Sequence, residues 1–218
     1  MIKPPAFRAA AVWMLAASAQ AGVVTMTVTD REGRPVADAV VVISPSMRTT
    51  PKTPLPATLH IAQEKMQFVP AVTLAPLGAR VVFVNNDTWE HHIRVTAGDI
   101  AQLSRNDAGG VELRLDGKPA GRPAKEGEVL LQILGPVLLG CHLHSSMRGH
   151  IYVTDSPWSA KTAADGTASF SDVPDGAASI RVWHPDQLLD QAAQAVTVGA
   201  KPVTATTQLQ VVPRRRRI

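Results

Sequence analysis

The sequence predicts an all-β protein of mostly antiparallel strands joined by Greek-key connections. Its 218 residues include 15 glycines and 17 prolines, which disfavour helices, and only 4% are aromatic. Short runs rich in β-branched residues recur along the chain, as at residues 23–29 and 36–43, and the polar segment at residues 30–35 predicts a turn between these two. The length suits one or two domains.

The later segments follow the same pattern. Two strands are predicted within residues 68–86, on either side of a turn at residues 76–78. Residues 125–128 are interpreted as another turn, and residues 44–56, rich in Ser, Thr and Pro, as a linker. Further strands are predicted at residues 59–61, 111–115, 129–133, 149–154, 167–170, 177–183, 196–198 and 203–212.

The first 21 residues have the pattern of a secretory signal peptide. Lys3 and Arg8 precede a short apolar run at residues 9–19, and Ala19-Gln20-Ala21 supplies a small-residue cleavage site. The run is too short to span a bilayer, although a short N-terminal anchor is the alternative. We therefore expect a periplasmic protein whose mature chain, after removal of residues 1–21, has no membrane span.

Charge and motif content exclude several classes of function. The formal net charge is +4, and Lys3 and Arg8 would leave with the signal peptide. The basic tail at residues 213–218 carries four arginines, Arg214 to Arg217, and is interpreted as solvated, with an acidic partner or an anionic lipid surface as the alternative. No basic stripe with aromatics indicates nucleic-acid binding. No catalytic triad or phosphate-binding Gly loop is found, so an enzyme is not expected.

The only cysteine belongs to a short motif with three potential metal ligands. Cys141, His144 and Met147 have the spacing C-x2-H-x2-M and lie between two strand-like runs. A lone cysteine in an oxidising compartment is a free thiol, an intermolecular bridge or a metal ligand. Soft sulfur with imidazole favours copper, and two His, one Cys and a weak Met form the ligand set of a blue-copper electron-transfer site.

A second imidazole must come from elsewhere in the chain. His91 and His92 follow a strand-like run at residues 81–84. In an extended chain they point to opposite faces, so one at most enters the site as a side chain. Alternation alone therefore allows either His91 or His92 to be the second imidazole ligand.

These motifs resemble those of the cupredoxin family. The C-x2-H-x2-M loop resembles the short amicyanin type, and residues 66–70 and 78–87 resemble the plastocyanin pattern F-x-P followed by G-x-x-V-x-F-x-N. His91-His92-Ile93 occupies the place of the family's His-Asn-Val. The resemblance covers about residues 57–155, and the wider chain is similar to bacterial plastocyanin-like proteins of the methylamine-utilisation type.

The resemblance implies one type 1 copper ion in an electron carrier with a redox partner of unknown identity. The implied ligands are His91, Cys141, His144 and Met147, with Met147 axial and His144 at the edge where electrons enter or leave. Family register favours His91 over His92, whose backbone N–H would then donate to the Cys141 sulfur. A copper-binding or delivery protein of the cell envelope and a metal-free interaction module are the alternatives.

His142 departs from the family pattern, in which Asn or Thr is common at this position. We interpret it as a structural residue that faces away from the site on its strand. The alternative is that it recruits a second metal ion together with His150 or His92.

The flanking segments resemble a second family. Residues 22–50 resemble the opening hairpin of a prealbumin-like (carboxypeptidase-regulatory-like) β-sandwich, with the pattern D-x-x-G-x-P-V-x-x-A-x-V, and residues 157–212 resemble its other half. This predicts a cupredoxin-like domain at residues 55–155 inserted into a prealbumin-like sandwich, because insertion is tolerated where chain ends lie close together at a surface. Two domains in series are the alternative.

Overall fold

The computed structural model describes residues 21–47, 50, 53–97, 110–187 and 189–211, and these form sixteen β-strands, numbered in chain order, and no α-helix. The predicted all-β class is confirmed. Residues 1–20 of the predicted signal peptide and the basic tail at residues 213–218 lie outside the described residues. Within the described residues, no helix is long and apolar enough to cross a membrane.

Strands from both ends of the chain form the first sandwich. Its strands are β1 (Ala21–Thr29), β2 (Val40–Pro45), β12 (Ser159–Lys161), β13 (Thr167–Pro174), β14 (Gly176–Trp183), β15 (Gln194–Val198) and β16 (Val203–Gln208). One sheet has the order β13-β1-β16 and the other β12-β2-β14-β15. Alternate residues of each strand face inward, and Met26, Ile43, Phe170 and Ile180 are buried in the shared core.

The middle of the chain forms the second sandwich. Its strands are β3 (Thr58–Glu64), β4 (Gln67–Val69), β5 (Val72–Pro76), β6 (Arg80–Asn85), β7 (His91–Ala97), β8 (Val111–Leu115), β9 (Lys125–Leu130), β10 (Gly135–Cys141) and β11 (Arg148–Thr154). The sheets have the orders β4-β3-β6-β9 and β5-β11-β10-β7-β8. Their core contains Phe68, Phe83, Ile93, Leu139 and Ile151.

The chain leaves the first sandwich after β2, forms the second, and re-enters the first at β12. A small buried cluster that includes Val42, Val72 and Trp183 lies where the two sandwiches meet. The Lys161 ammonium donates to the Val72 carbonyl oxygen there, at 2.8 Å. The residue bounds of the two domains and the prealbumin-like character of the first sandwich remain our proposals.

The predicted turn at residues 125–128 is wrong, because these residues belong to β9. This strand pairs along β6, from Arg80 opposite Leu130 to Asn85 opposite Lys125. A salt bridge of 2.8 Å between Arg80 and Glu128 joins the two strands. Pairing with a neighbouring strand therefore outweighs the turn propensity of a glycine flanked by charges.

Strand register brings the sequence motifs to one end of the second sandwich. β10 and β11 form a hairpin in which Gly140 lies opposite Arg148, so residues 142–147 form the connecting loop. β10 also pairs with β7, with Cys141 opposite Ile93. The end of β10, the start of β7 and the hairpin loop therefore meet at the same edge.

Candidate metal centre

Three of the predicted ligands meet at this edge. The Cys141 Sγ atom lies 3.7 Å from His91 Nδ1 and 3.6 Å from His144 Nδ1. The two imidazole rings are 4.9 Å apart between centroids and inclined at 64°. In the part of the chain that the structure describes, this is the only group of three His, Cys, Asp or Glu side chains whose ligand atoms all lie within 4.8 Å of one another.

The alternation of side chains along β7 and β10 decides which residues enter the centre. His91 is the first residue of β7 and is fully buried, whereas His92 is half-buried on the other face. Cys141 ends β10 and is also buried, whereas His142 is exposed. His91 rather than His92 is therefore the histidine that lies beside the thiol.

The hairpin loop supplies His144 and Met147. The Met147 N–H donates to the His144 carbonyl oxygen at 2.9 Å, which closes a tight turn between these residues. The Met147 side chain is 1% exposed and belongs to the same core cluster as Cys141. Its role as the axial ligand remains a prediction.

The separation of the three ligand atoms suits a first-row transition metal ion. With a bond of about 2.3 Å to thiolate and about 2.0 Å to imidazole, and an angle between about 109° and 120°, sulfur and nitrogen lie about 3.5 to 3.7 Å apart. The observed distances of 3.6 and 3.7 Å match this range. One thiolate and two imidazoles, with a thioether nearby, favour copper among the first-row ions. The residues present therefore fit copper.

A buried carboxylate, which was not predicted from the sequence, forms a hydrogen bond with the His91 ring nitrogen that does not face Cys141. Asp87 Oδ2 lies 3.0 Å from His91 Nε2, and both side chains are buried. The carboxylate also accepts the backbone N–H groups of Lys65 and Met66, at 2.6 and 3.0 Å. This contact fixes the ring so that Nδ1 points at Cys141, in the way that carboxylates orient metal-binding histidines.

Asp87 is held in its charged form. Burial alone would raise the pKa of this carboxyl. The hydrogen bonds from Met66, His91 and Lys65 outweigh burial and keep the pKa below its ordinary value. The centre therefore has a fixed negative charge behind one of its imidazoles.

Asn85 anchors the loop that leads to His91. The two N–H groups of its amide nitrogen are shared among the carbonyl oxygens of Trp89, Leu115 and Asp116, at 2.9, 3.1 and 3.0 Å, and its amide oxygen accepts the Asp87 N–H at 3.0 Å. Gly117 permits the close packing of this loop, because a Cβ atom there would lie 2.1 Å from the Thr88 carbonyl oxygen. The position of His91 thus depends on backbone contacts well outside the ligand motif.

Replacing Asp87 by Ala is expected to lower the affinity for copper by roughly 10- to 100-fold, because His91 loses the group that orients its ring. Competition with a chelator of known copper affinity measures the change. Asp87→Asn is the matched control and should lose less, because its one oxygen can still accept from His91 and Met66, although its NH2 group would face the Lys65 N–H. Wild-type affinity in Asp87→Ala would show that the carboxylate does not position the ligand.

The remaining histidines of the sequence analysis lie elsewhere. His92 and His142 face the outer side of the sheet, where they contact Glu90 and Glu112. His150 lies near Trp183 of the first sandwich, with ring centroids 6.0 Å apart. The hydrogen bond expected from the His92 N–H to the Cys141 sulfur stays a prediction. His60 is exposed on β3, as predicted.

Comparison with solved structures finds likeness to amicyanin and pseudoazurin. Amicyanin from Paracoccus versutus is 18% identical, with 51% of this chain and 97% of that chain covered and a TM-score of 0.34. A reduced Cu(I) form of an amicyanin variant is also 18% identical, with 52% and 98% covered and a TM-score of 0.33. Pseudoazurin from Sinorhizobium meliloti is 24% identical, with 45% and 75% covered and a TM-score of 0.33. No protein-family model and no curated protein matches the chain.

Proposed function

We propose that this chain is an exported type 1 copper protein of the cupredoxin kind, which carries single electrons between redox partners in the periplasm. One observation carries the proposal. A buried thiol lies 3.7 and 3.6 Å from the Nδ1 atoms of two imidazoles, with a buried methionine on the same loop. Copper, when bound, accepts and releases one electron.

The residues of the site are arranged so that little has to move when the charge changes. A ligand set of one thiolate, two imidazoles and a weakly bound thioether is compatible with both Cu(I) and Cu(II). His91 is fixed by Asp87, and Cys141 is fixed by the pairing of β10 with β7 and β11. His144 and Met147 are joined by the turn of the hairpin loop. A rigid ligand set keeps the reorganisation on electron transfer small.

His144 is the proposed point of electron entry and exit. It is half-buried, whereas His91 and Cys141 are buried, so it is the imidazole of the group nearest the solvent. Leu143, the neighbouring residue of the loop, is 51% exposed and offers apolar surface beside it. A redox partner that docks over the hairpin loop would therefore approach the ligand group through His144.

Voltammetry of the copper-loaded mature protein tests this function. We expect a reversible one-electron couple with copper retained over repeated cycles, because both oxidation states share one rigid ligand set. Transfer of Cu(I) to an equimolar chelator during cycling would contradict electron transport and favour copper delivery. Failure to take up copper with the Cys141 thiol free would favour a metal-free module.

Replacing Met147 by Leu is expected to leave copper bound and to raise the reduction potential, because an axial thioether stabilises Cu(II) and leucine removes it. Voltammetry of the two proteins measures the shift. Met26→Leu is the matched control, since Met26 is fully buried in the other sandwich and should leave the potential unchanged. An unchanged potential in Met147→Leu would mean that Met147 is not the axial ligand.

A further inference from the structure

Two histidines lie across from each other on the outer face of the five-stranded sheet. The His142 N–H donates to the His92 carbonyl oxygen at 3.0 Å, which continues the pairing of Cys141 with Ile93 by one residue. Residues directly opposite one another on neighbouring strands have Cβ atoms about 4.5 to 5.5 Å apart. The side chains of His92 and His142 are 32% and 42% exposed, so both imidazoles are accessible from solvent.

A carboxylate on β8, the strand next to β7, reaches the same face of the sheet. Glu112 Oε1 lies 2.9 Å from His142 Nε2, although Glu112 is on β8 and β7 lies between β8 and β10. Gly140 leaves room for this contact, because it lies opposite Arg94 and has open space where a side chain would stand. The contact with His142 and the nearby Arg94 guanidinium lower the pKa of Glu112. Glu112 therefore places a carboxylate beside the His142 imidazole, on the face of the sheet that also carries His92.

We propose that His92, His142 and Glu112 form a second metal site, separate from the buried centre, for a divalent ion such as Zn²⁺, Ni²⁺ or Cu²⁺. Two imidazoles and a carboxylate are a ligand set that these ions take from proteins. Glu90, which contacts His92, is a candidate fourth ligand. The inference does not depend on the proposed function, because these side chains and the buried ligands lie on opposite faces of the sheet.

The site closes by side-chain rotation when the ion binds. Each histidine now contacts a carboxylate, Glu90 for His92 and Glu112 for His142, and the three proposed ligand atoms are not yet gathered around one point. Rotation between staggered conformers is open to half-exposed side chains. The ion must also displace Arg94, whose guanidinium lies 3.8 Å from Glu112, so moderate affinity is expected.

Zinc titration of the copper-loaded mature protein tests the proposal. One equivalent of copper per chain is added first, because copper binds N and S ligands more tightly than zinc does and will hold the buried centre without filling the second site. Equilibrium dialysis with metal analysis should then show one bound zinc per chain. His92→Ala and His142→Ala should each weaken zinc binding by at least tenfold, because removal even of a residue that only supports a ligand costs 10- to 100-fold.

Two further variants separate this site from other sources of zinc binding. His60→Ala removes an exposed strand histidine on the other sheet and should leave zinc affinity unchanged. Cys141→Ser is titrated with zinc without added copper. It should still bind the zinc that is lost when His92 and His142 are replaced, so failure of the proposed function remains distinguishable. No zinc uptake by the copper-loaded protein, or equal uptake by the His92→Ala, His142→Ala double variant, would overturn the proposal.

Discussion

Replacing Cys141 by Ser is expected to abolish the intense visible absorption band that we propose for the copper-loaded protein. The band of a type 1 centre arises from charge transfer between thiolate and copper, and this chain has one cysteine. A hydroxyl lacks the soft sulfur that the transition requires. Electron paramagnetic resonance should change as well, from a narrow copper hyperfine splitting to the wider splitting of a tetragonal site. Both spectra are recorded on matched amounts of wild-type protein and variant.

His142→Ala is the control for this substitution. His142 is the next residue in the chain, but its side chain faces Glu112 on the outer side of the sheet. The variant should keep the band and the narrow splitting. A visible band that survives in Cys141→Ser would show that the thiolate is not bound to copper.

Replacing Asn85 by Ala is expected to lower the free energy of unfolding by roughly 2 to 4 kcal/mol, since each buried polar group left without a partner costs about 1 to 3 kcal/mol. The fully buried Asn85 side chain shares its two N–H donors among three backbone carbonyl groups and accepts one backbone N–H. Denaturant titration of the metal-free protein measures the loss. Copper affinity should fall too, because the Asn85 contacts hold the loop that ends at His91.

The neighbouring asparagine provides the matched control. The Asn86 amide donates to the Glu64 carboxylate at the surface. Asn86→Ala should therefore change the free energy of unfolding by no more than about 0.5 kcal/mol, as is usual for surface positions. Equal stability of Asn85→Ala and Asn86→Ala would contradict the anchoring role of Asn85.

The group around Cys141 could be predicted because the loop motif is local in the chain and the resemblance to a family supplied the distant histidine. The C-x2-H-x2-M spacing places His144 on a tight loop directly after the strand that ends in Cys141. Side-chain alternation in a strand decides that His91 and His92 cannot both face inward. Family register selected His91, and in the structure His91 Nδ1 lies 3.7 Å from the Cys141 sulfur.

The residues that support the group could not be predicted from the same patterns. Asp87 ends the segment Asn85-Asn86-Asp87, which has the composition of an ordinary turn. Its contacts come from a backbone turn at Lys65 and Met66, more than twenty residues earlier. The contact of Glu112 with His142 spans 30 residues and depends on the order of three strands. Such contacts are set by sheet topology, which spacing along the chain does not reveal.

The most direct test of the account is the spectrum of the purified mature protein after addition of one equivalent of Cu(II). We expect an intense thiolate-to-copper band together with narrow copper hyperfine splitting, because His91, Cys141 and His144 already lie at the separations that a bound ion requires. Weak absorption with ordinary tetragonal splitting would contradict it. That result would mean that histidines bind copper without the thiolate.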